Sequence, residues 1–275
     1  MANNPLKKYF RQPKVYIDLP SKGIYNQPGT LSSDPTKLPI FGMTGMDEIL
    51  FKTPDALLNG EATAKVIESC CPTIVDSWDL SLLDLDLVLV AIRIATHGNT
   101  MTVTHTCTSC QAVNDYDIEL GNIVQHFANC EYDSKIVMKD ITIKIHPLNY
   151  KQWTEFQLKN FAIQRRLAQT IGITDKDEQS KNIGLLFEQV SQVQTEMLFA
   201  QIEAVETQEG VVNQREFIRE WLVNSDADVF EALRIQVDKN RTAWQIPKID
   251  VDCTECNAKN QLAIEMDQST FFGNA

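Results

Sequence analysis

Four of the seven cysteines fall in two short pairs, Cys107-Thr-Ser-Cys110 and Cys253-Thr-Glu-Cys256. Two residues between cysteines let both sulfurs point into one tight turn, where backbone N–H groups also stabilise thiolate charge. Together the pairs offer four thiolates, which close a tetrahedron around Zn²⁺ at about 2.3 Å. A closed set leaves no position for water or substrate. The expected role of Cys107, Cys110, Cys253 and Cys256 is therefore to hold a structural zinc ion. Each pair follows a strand-like stretch (Met101 to Thr106, Trp244 to Val251) and precedes another (Val113 to Glu119, Gln261 to Glu265), the layout of a zinc ribbon.

The separation is unusual, since 142 residues lie between Cys110 and Cys253. Closing such a loop costs only about 2 kcal/mol more than closing one of 15 residues, because the penalty grows logarithmically. Zinc binding on the order of 10 kcal/mol outweighs that cost. Two unmetallated turns and redox chemistry are the competing readings. A thioredoxin-like pair sits at a strand-to-helix junction, whereas both pairs here lie between strand-like segments. A zinc deaminase needs H-x-E and a later P-C-x-x-C; His105-Thr-Cys107 lacks the glutamate and neither pair follows proline. His105 is an alternative fourth ligand, or simply an exposed strand histidine. Cys70, Cys71 and Cys130 read as buried small hydrophobes.

No HExxH, GxSxG, Walker loop or GxGxxG occurs, and the four histidines are not at ligand spacing, so no enzymatic activity is expected. Asp84 and Asp86 read as a solvated face or helix start. Residues 244–267 carry five acids and two lysines, and 100–120 carry three acids and no Lys or Arg. Such knuckles repel phosphate, so nucleic acid is not an expected partner.

The elements that must position these cysteines can be read from period and punctuation. Residues 1–43 form an extended arm with scattered Pro and Gly, one candidate strand from Lys14 to Asp18, and enough aromatic and aliphatic side chains to require docking on this chain or a partner. Removal of residues 1–30 is expected to leave a folded core. From 44 to 99 the pattern is helical: Thr44 is an N-cap, a second helix starts at Pro54, a third runs from Gly60 to Cys71, and Leu82 to Thr96 is a buried central helix ended by Gly98. Residues 100–146 hold the first knuckle and three strands, the last from Lys135 to Ile145. Residues 147–240 form a helical hairpin insertion. Trp153, Phe156, Ile163 and Leu167 line its first helix, and Ile183, Leu186, Val190, Val193, Met197, Ala200 and Ala204 line the second. The 183–204 seam suits intramolecular packing or, alternatively, self-association. Asn213 and Glu216 form a capping-box-like pair, and another helix spans Asp226 to Asp238. Residues 241–275 contain the second knuckle and a C-terminal tail. The fold class is α+β, mainly helical: a small zinc-ribbon-like antiparallel sheet made of two distant knuckles, a helical insertion between them, and an extended N-terminal arm.

With 275 residues, 43% hydrophobic and 23% charged, the chain has the profile of a folded protein of one or two domains. Its formal charge of -12 repels nucleic-acid backbones. The start has no apolar signal-peptide core, and the odd cysteine count argues against a disulfide framework, so a reducing cytoplasm is expected. The most apolar stretch, Leu80 to Ala95, carries Asp84, Asp86 and Arg93, so membrane insertion is not expected.

The stretches YFRQPKVYIDLPSKGIYNQPGT (9–30) and LPIFGMTGMDEILFKTPDALLNGEATAKVIESCCPTI (38–74) resemble baseplate proteins of T-even-like contractile-tailed bacteriophages, in particular the hub and hub-assembly group. The likeness is strong over roughly residues 5 to 120 and looser in the helical middle. It implies a structural or assembly protein of the tail baseplate, made in the host cytoplasm, present in the virion tail, and acting through other baseplate or tail proteins. It brings no catalytic residues. One alternative is a tail-assembly chaperone that masks a tail or tape-measure protein and is absent from the virion; another is a phage metal-dependent enzyme or redox protein.

Overall fold

Thr44 begins the first helix by a reciprocal cap. In the computed structural model, which describes residues 4–53, 59–171, 175–264 and 271–272, the Asp47 N–H donates to Thr44 Oγ1 at 3.3 Å while the Thr44 N–H donates to Asp47 Oδ2 at 2.7 Å. Helix α1 follows over Gly45–Phe51. Helix α2 (Glu61–Cys70) buries Ala62, Val66, Ile67 and Cys70 on one face. Helix α3 (Leu82–His97) is capped by Ser81, is buried nearly all round as its continuous apolar run predicts, and stops at Gly98, whose φ of 95° a side-chain-bearing residue rarely adopts. The helix expected from Pro54 begins on residues outside those described.

Two units divide the chain: 1–130 with 244–275, and 131–243. In the first, strand β1 (Val15–Ile17) pairs antiparallel with β2 (Leu38–Ile40), from Val15 opposite Ile40 to Ile17 opposite Leu38. The arm also docks on the rest of its unit, where the Ser32 N–H donates to Thr73 O and the Phe41 N–H to Cys70 O. Arg11 donates to Gly42 O at 2.7 Å and to Ser69 O at 2.6 Å, and its guanidinium lies 3.5 Å from Asp47. Ser21 and Asn26 reach the start of α3, where Asp84 accepts from the Ser21 N–H (2.9 Å), Ser21 Oγ (2.5 Å) and Asn26 Nδ2 (2.9 Å). Asp84 lies in the first turn of α3, the helix-start alternative expected of it, but is fully buried rather than solvated, and burial pushes its carboxyl upward despite these donors. One edge of the candidate strand from Lys14 to Asp18 is already paired within the chain.

Close approach explains one glycine. A Cβ on Gly42 would lie 2.9 Å from the carbonyl oxygen of Ala95 in α3, whereas one on Gly45 meets nothing within 4 Å. Gly42→Ala is expected to cost about 1–3 kcal/mol, since backbone must shift to relieve the overlap. Thermal denaturation should show a lower midpoint for Gly42→Ala and no loss for Gly45→Ala.

Two ribbons complete this unit: β3 (Thr100–Thr106) with β4 (Val113–Glu119), and β9 (Ile249–Asp252) with β10 (Lys259–Leu262), both antiparallel. Between β4 and the end of the unit's first stretch, α4 (Leu120–Ala128) buries Leu120, Ile123 and Phe127. Phe127 stacks on Trp244 with ring centroids 6.3 Å apart, and His126 Nε2 lies 3.0 Å from Gln245 O. These contacts fix where the chain re-enters the unit, directly upstream of the second knuckle.

The 131–243 unit has its own sheet, ordered β5-β6-β7-β8 and antiparallel throughout: β5 Lys135–Met138, β6 Ile141–Ile145, β7 Ile202–Thr207 and β8 Gly210–Val212. The strand expected from Lys135 to Ile145 is therefore a hairpin, turned at Lys139 with φ 45°. Helices α5 (Tyr150–Ile171) and α6 (Lys176–Ala200) pack on each other, followed by α7 (Arg215–Asn224) and α8 (Ala227–Ala243). The helical seam expected over 183–204 ends at Ala200, because Ile202, Ala204 and Val205 belong to β7, where Ile202 and Val205 face a core with Ile143, Ile145, Ile218 and Leu233. Helix α7 starts from Gln214 without a side-chain cap, so Asn213 and Glu216 do not form the expected box.

Candidate metal centre

Each ribbon ends in the same turn. The Cys107 N–H donates to Ala112 O at 2.8 Å and the Gln111 N–H to Cys107 O at 3.0 Å; the Cys253 N–H donates to Ala258 O at 3.0 Å and the Asn257 N–H to Cys253 O at 2.9 Å. Gln111 and Asn257, each just after a second cysteine, take left-handed backbones with φ 62° and 57°. That turn closes the knuckle so that the first cysteine is buried and the second exposed: Cys107 and Cys253 lie inside, Cys110 and Cys256 at the surface.

The four expected ligands converge. Cys107, Cys110, Cys253 and Cys256 present sulfurs all within 4.8 Å of one another, a cluster able to hold a metal ion. Across the knuckles, Cys107 Sγ is 3.8 Å from Cys256 Sγ and Cys110 Sγ is 3.7 Å from Cys253 Sγ. The Tyr116 hydroxyl, on β4, donates to Asp252 O on β9 at 3.1 Å and ties the ribbons together.

Electrostatics favours anionic sulfur at the inner positions. Backbone N–H groups of Cys110 and Ser109 bring the Cys107 thiol down to about 6, and those of Cys256 and Glu255 lower Cys253. The Ala258 N–H favours the Cys256 thiolate, yet crowding by the sulfurs of Cys110, Cys253 and Cys107 pushes that thiol up to about 12. Several thiolates this close repel one another unless a cation lies between them. The other three cysteines behave differently: burial pushes Cys70 up to about 12 and raises Cys71 and Cys130, as expected of unreactive thiols. His105 sits on β3 opposite Asn114 and is not among the converging donors.

A family model described as T4 bacteriophage base plate protein matches residues 43–273. The chain belongs to this family. Neither the curated proteins nor the solved structures contain a match. The match spans both knuckles and the whole 131–243 unit of the baseplate protein, while most of the arm, including the 9–30 stretch, precedes it. Among the described residues of this baseplate protein, no helix is long and apolar enough to cross a membrane.

Two residues of the baseplate protein's site were missed by sequence reasoning. The knuckles are halves of a longer repeat, CTSCQAVN at 107–114 and CTECNAKN at 253–260, sharing C-T-x-C-x-A-x-N. The asparagine ending each repeat accepts from the other knuckle: the Thr254 N–H donates to Asn114 Oδ1 at 3.0 Å, and the Thr108 N–H to Asn260 Oδ1 at 3.0 Å. Aligning the two cysteine pairs beyond the second cysteine would have exposed both.

Proposed function

We propose that this baseplate protein is a non-enzymatic structural component of the baseplate hub, with its ribbons held together by one Zn²⁺ on Cys107, Cys110, Cys253 and Cys256 in a zinc-ribbon-like arrangement. The sulfur spacing carries the proposal. Four thiolates at about 2.3 Å from zinc define a tetrahedron whose edge is about 3.8 Å, and the cross-knuckle distances are 3.8 and 3.7 Å. A disulfide would need about 2.05 Å. Soft thiolates favour zinc over hard cations. With every coordination position filled by protein, the ion braces the fold and activates nothing.

The rest of the molecule supports protein contacts as its mode of action. Exposed Asp115 and Asp117 accept from Thr104 and Thr102 along the first ribbon, leaving an acidic surface that would repel phosphate. The arm leaves Tyr9, Phe10 and Tyr16 exposed, surface that other tail proteins would cover. Leu186 of the α6 seam is buried within the chain, which favours intramolecular packing over self-association. Assembly would take place in the host cytoplasm, where a zinc-thiolate site persists under reducing conditions.

Mass spectrometry of purified tails tests the role. The expected result is this chain present with the other baseplate proteins. Its absence from tails, with retention in assembly intermediates, would instead identify a chaperone that masks another tail protein.

A further inference from the structure

We propose that Asn114 and Asn260 are reciprocal positioning residues for the metal, each locking the opposite knuckle's inner cysteine, so that neither half of the site is complete without the other. This rests on reading the four cysteines as a metal centre.

A carboxamide has an acceptor end and a donor end, and here both ends are committed. The acceptor end of Asn114 takes the Thr254 N–H at 3.0 Å and the Thr254 hydroxyl at 2.5 Å. That turns its Nδ2 toward Cys253 Sγ at 3.5 Å and toward Ala112 O, in its own ribbon, at 3.0 Å. Asn260 repeats the pattern in reverse: Oδ1 takes the Thr108 N–H at 3.0 Å and hydroxyl at 3.1 Å, and Nδ2 reaches Cys107 Sγ at 3.5 Å and Ala258 O at 2.9 Å. Both side chains are only 4% exposed.

Three consequences follow from this wiring. The N–H directed at each inner sulfur stabilises its thiolate and fixes its lone pairs, which is how outer groups tune a metal's ligands. Separating the ribbons takes the partners from both carboxamide oxygens and from two threonine N–H groups, so a half-built site is disfavoured. Aspartate could keep the threonine bonds but would present charge, not a donor, to a thiolate; asparagine alone satisfies both ends.

The test uses the full-length chain stripped of metal and titrated with Co²⁺ and with Zn²⁺ against a competing chelator. Wild type is expected to show the absorption of tetrahedral thiolate-bound cobalt. Asn114→Ala and Asn260→Ala should each weaken metal affinity by about 10- to 100-fold and shift the sulfur-to-cobalt charge-transfer band. Asn260→Asp separates positioning from folding, because it retains the acceptor for Thr108. It should keep the wild-type circular dichroism yet lose affinity and shift the band; if Asn260→Ala fails to fold, this variant decides. Wild-type affinity and an unshifted band in the folded variants would overturn the clamp while leaving the metal centre standing. A wild-type chain that takes up neither metal would overturn the metal reading, and the clamp with it.

Discussion

Serine at any one of Cys107, Cys110, Cys253 or Cys256 is expected to abolish stoichiometric zinc retention and to release the two ribbons from each other. The effect should be large because, apart from the sulfur cluster, the ribbons are joined by hydrogen bonds of Tyr116, Asn114 and Asn260, each worth only about 1 kcal/mol net. The second ribbon has only four residue pairs, from Lys259 opposite Asp252 to Leu262 opposite Ile249. Two-stranded hairpins are marginal by themselves in water. Structural zinc contributes on the order of 10 kcal/mol, comparable with the roughly 5–15 kcal/mol by which a whole domain is stable. Metal analysis should find one zinc per wild-type chain and a deficit in each variant. Hydrogen exchange should show protection lost across 100–119 and 249–262. Cys130→Ser is the control and should keep its zinc, since Cys130 lies outside the cluster. A ligand variant with full zinc and unchanged exchange would sink the structural-zinc reading.

Deleting residues 1–30 is expected to prevent folding of the 1–130/244–275 unit, the reverse of what the sequence by itself suggests. The deletion removes Ile17 and Leu19, both buried, and all three donors to Asp84. Each apolar side chain contributes roughly 1.5–3 kcal/mol. The carboxyl of Asp84 would remain in the interior without partners, adding a desolvation penalty of about 1–3 kcal/mol or more. The sum, on the order of 5 kcal/mol or more, takes most of an ordinary domain's stability. The shortened chain should be largely insoluble or protease-sensitive, and Ser21→Ala with Asn26→Ala should reproduce part of the loss as a lower thermal midpoint. A 31–275 fragment that melts at the full-length temperature would show the arm to be separable after all.

These two expectations differ in how much of their basis lies in plain view along the chain. Ligand type and the two-residue spacing are local properties, so the four cysteines could be picked out without a fold. Helix ends governed by one side chain or one glycine were equally legible: Thr44 caps α1, and Gly98 ends α3. The boundary between α6 and β7 was not. Ile202, Ala204 and Val205 are apolar at spacings that continue a helical stripe and equally suit a strand, and only the pairing of β7 with β6, which puts Ile202 and Val205 in the core, selects between the two. The hairpin at Lys139 was hidden for a similar reason: its turn lacks the usual Asn-Gly or Asp-Gly signal and places a lysine at positive φ.

By itself, the sequence determined the paired spacing of the four cysteines, the net negative charge, the α+β class and the likeness to phage baseplate proteins, because each depends on residue identity or short-range spacing. Tertiary structure alone decided that the arm is bonded to Asp84 across some sixty positions, that the intervening 131–243 segment has its own sheet and core, and that Asn114 and Asn260 serve each other's knuckles. The physical reason is common to all three. A buried polar group must find its partner in space, and the sequence states what the group needs without stating which distant segment will supply it.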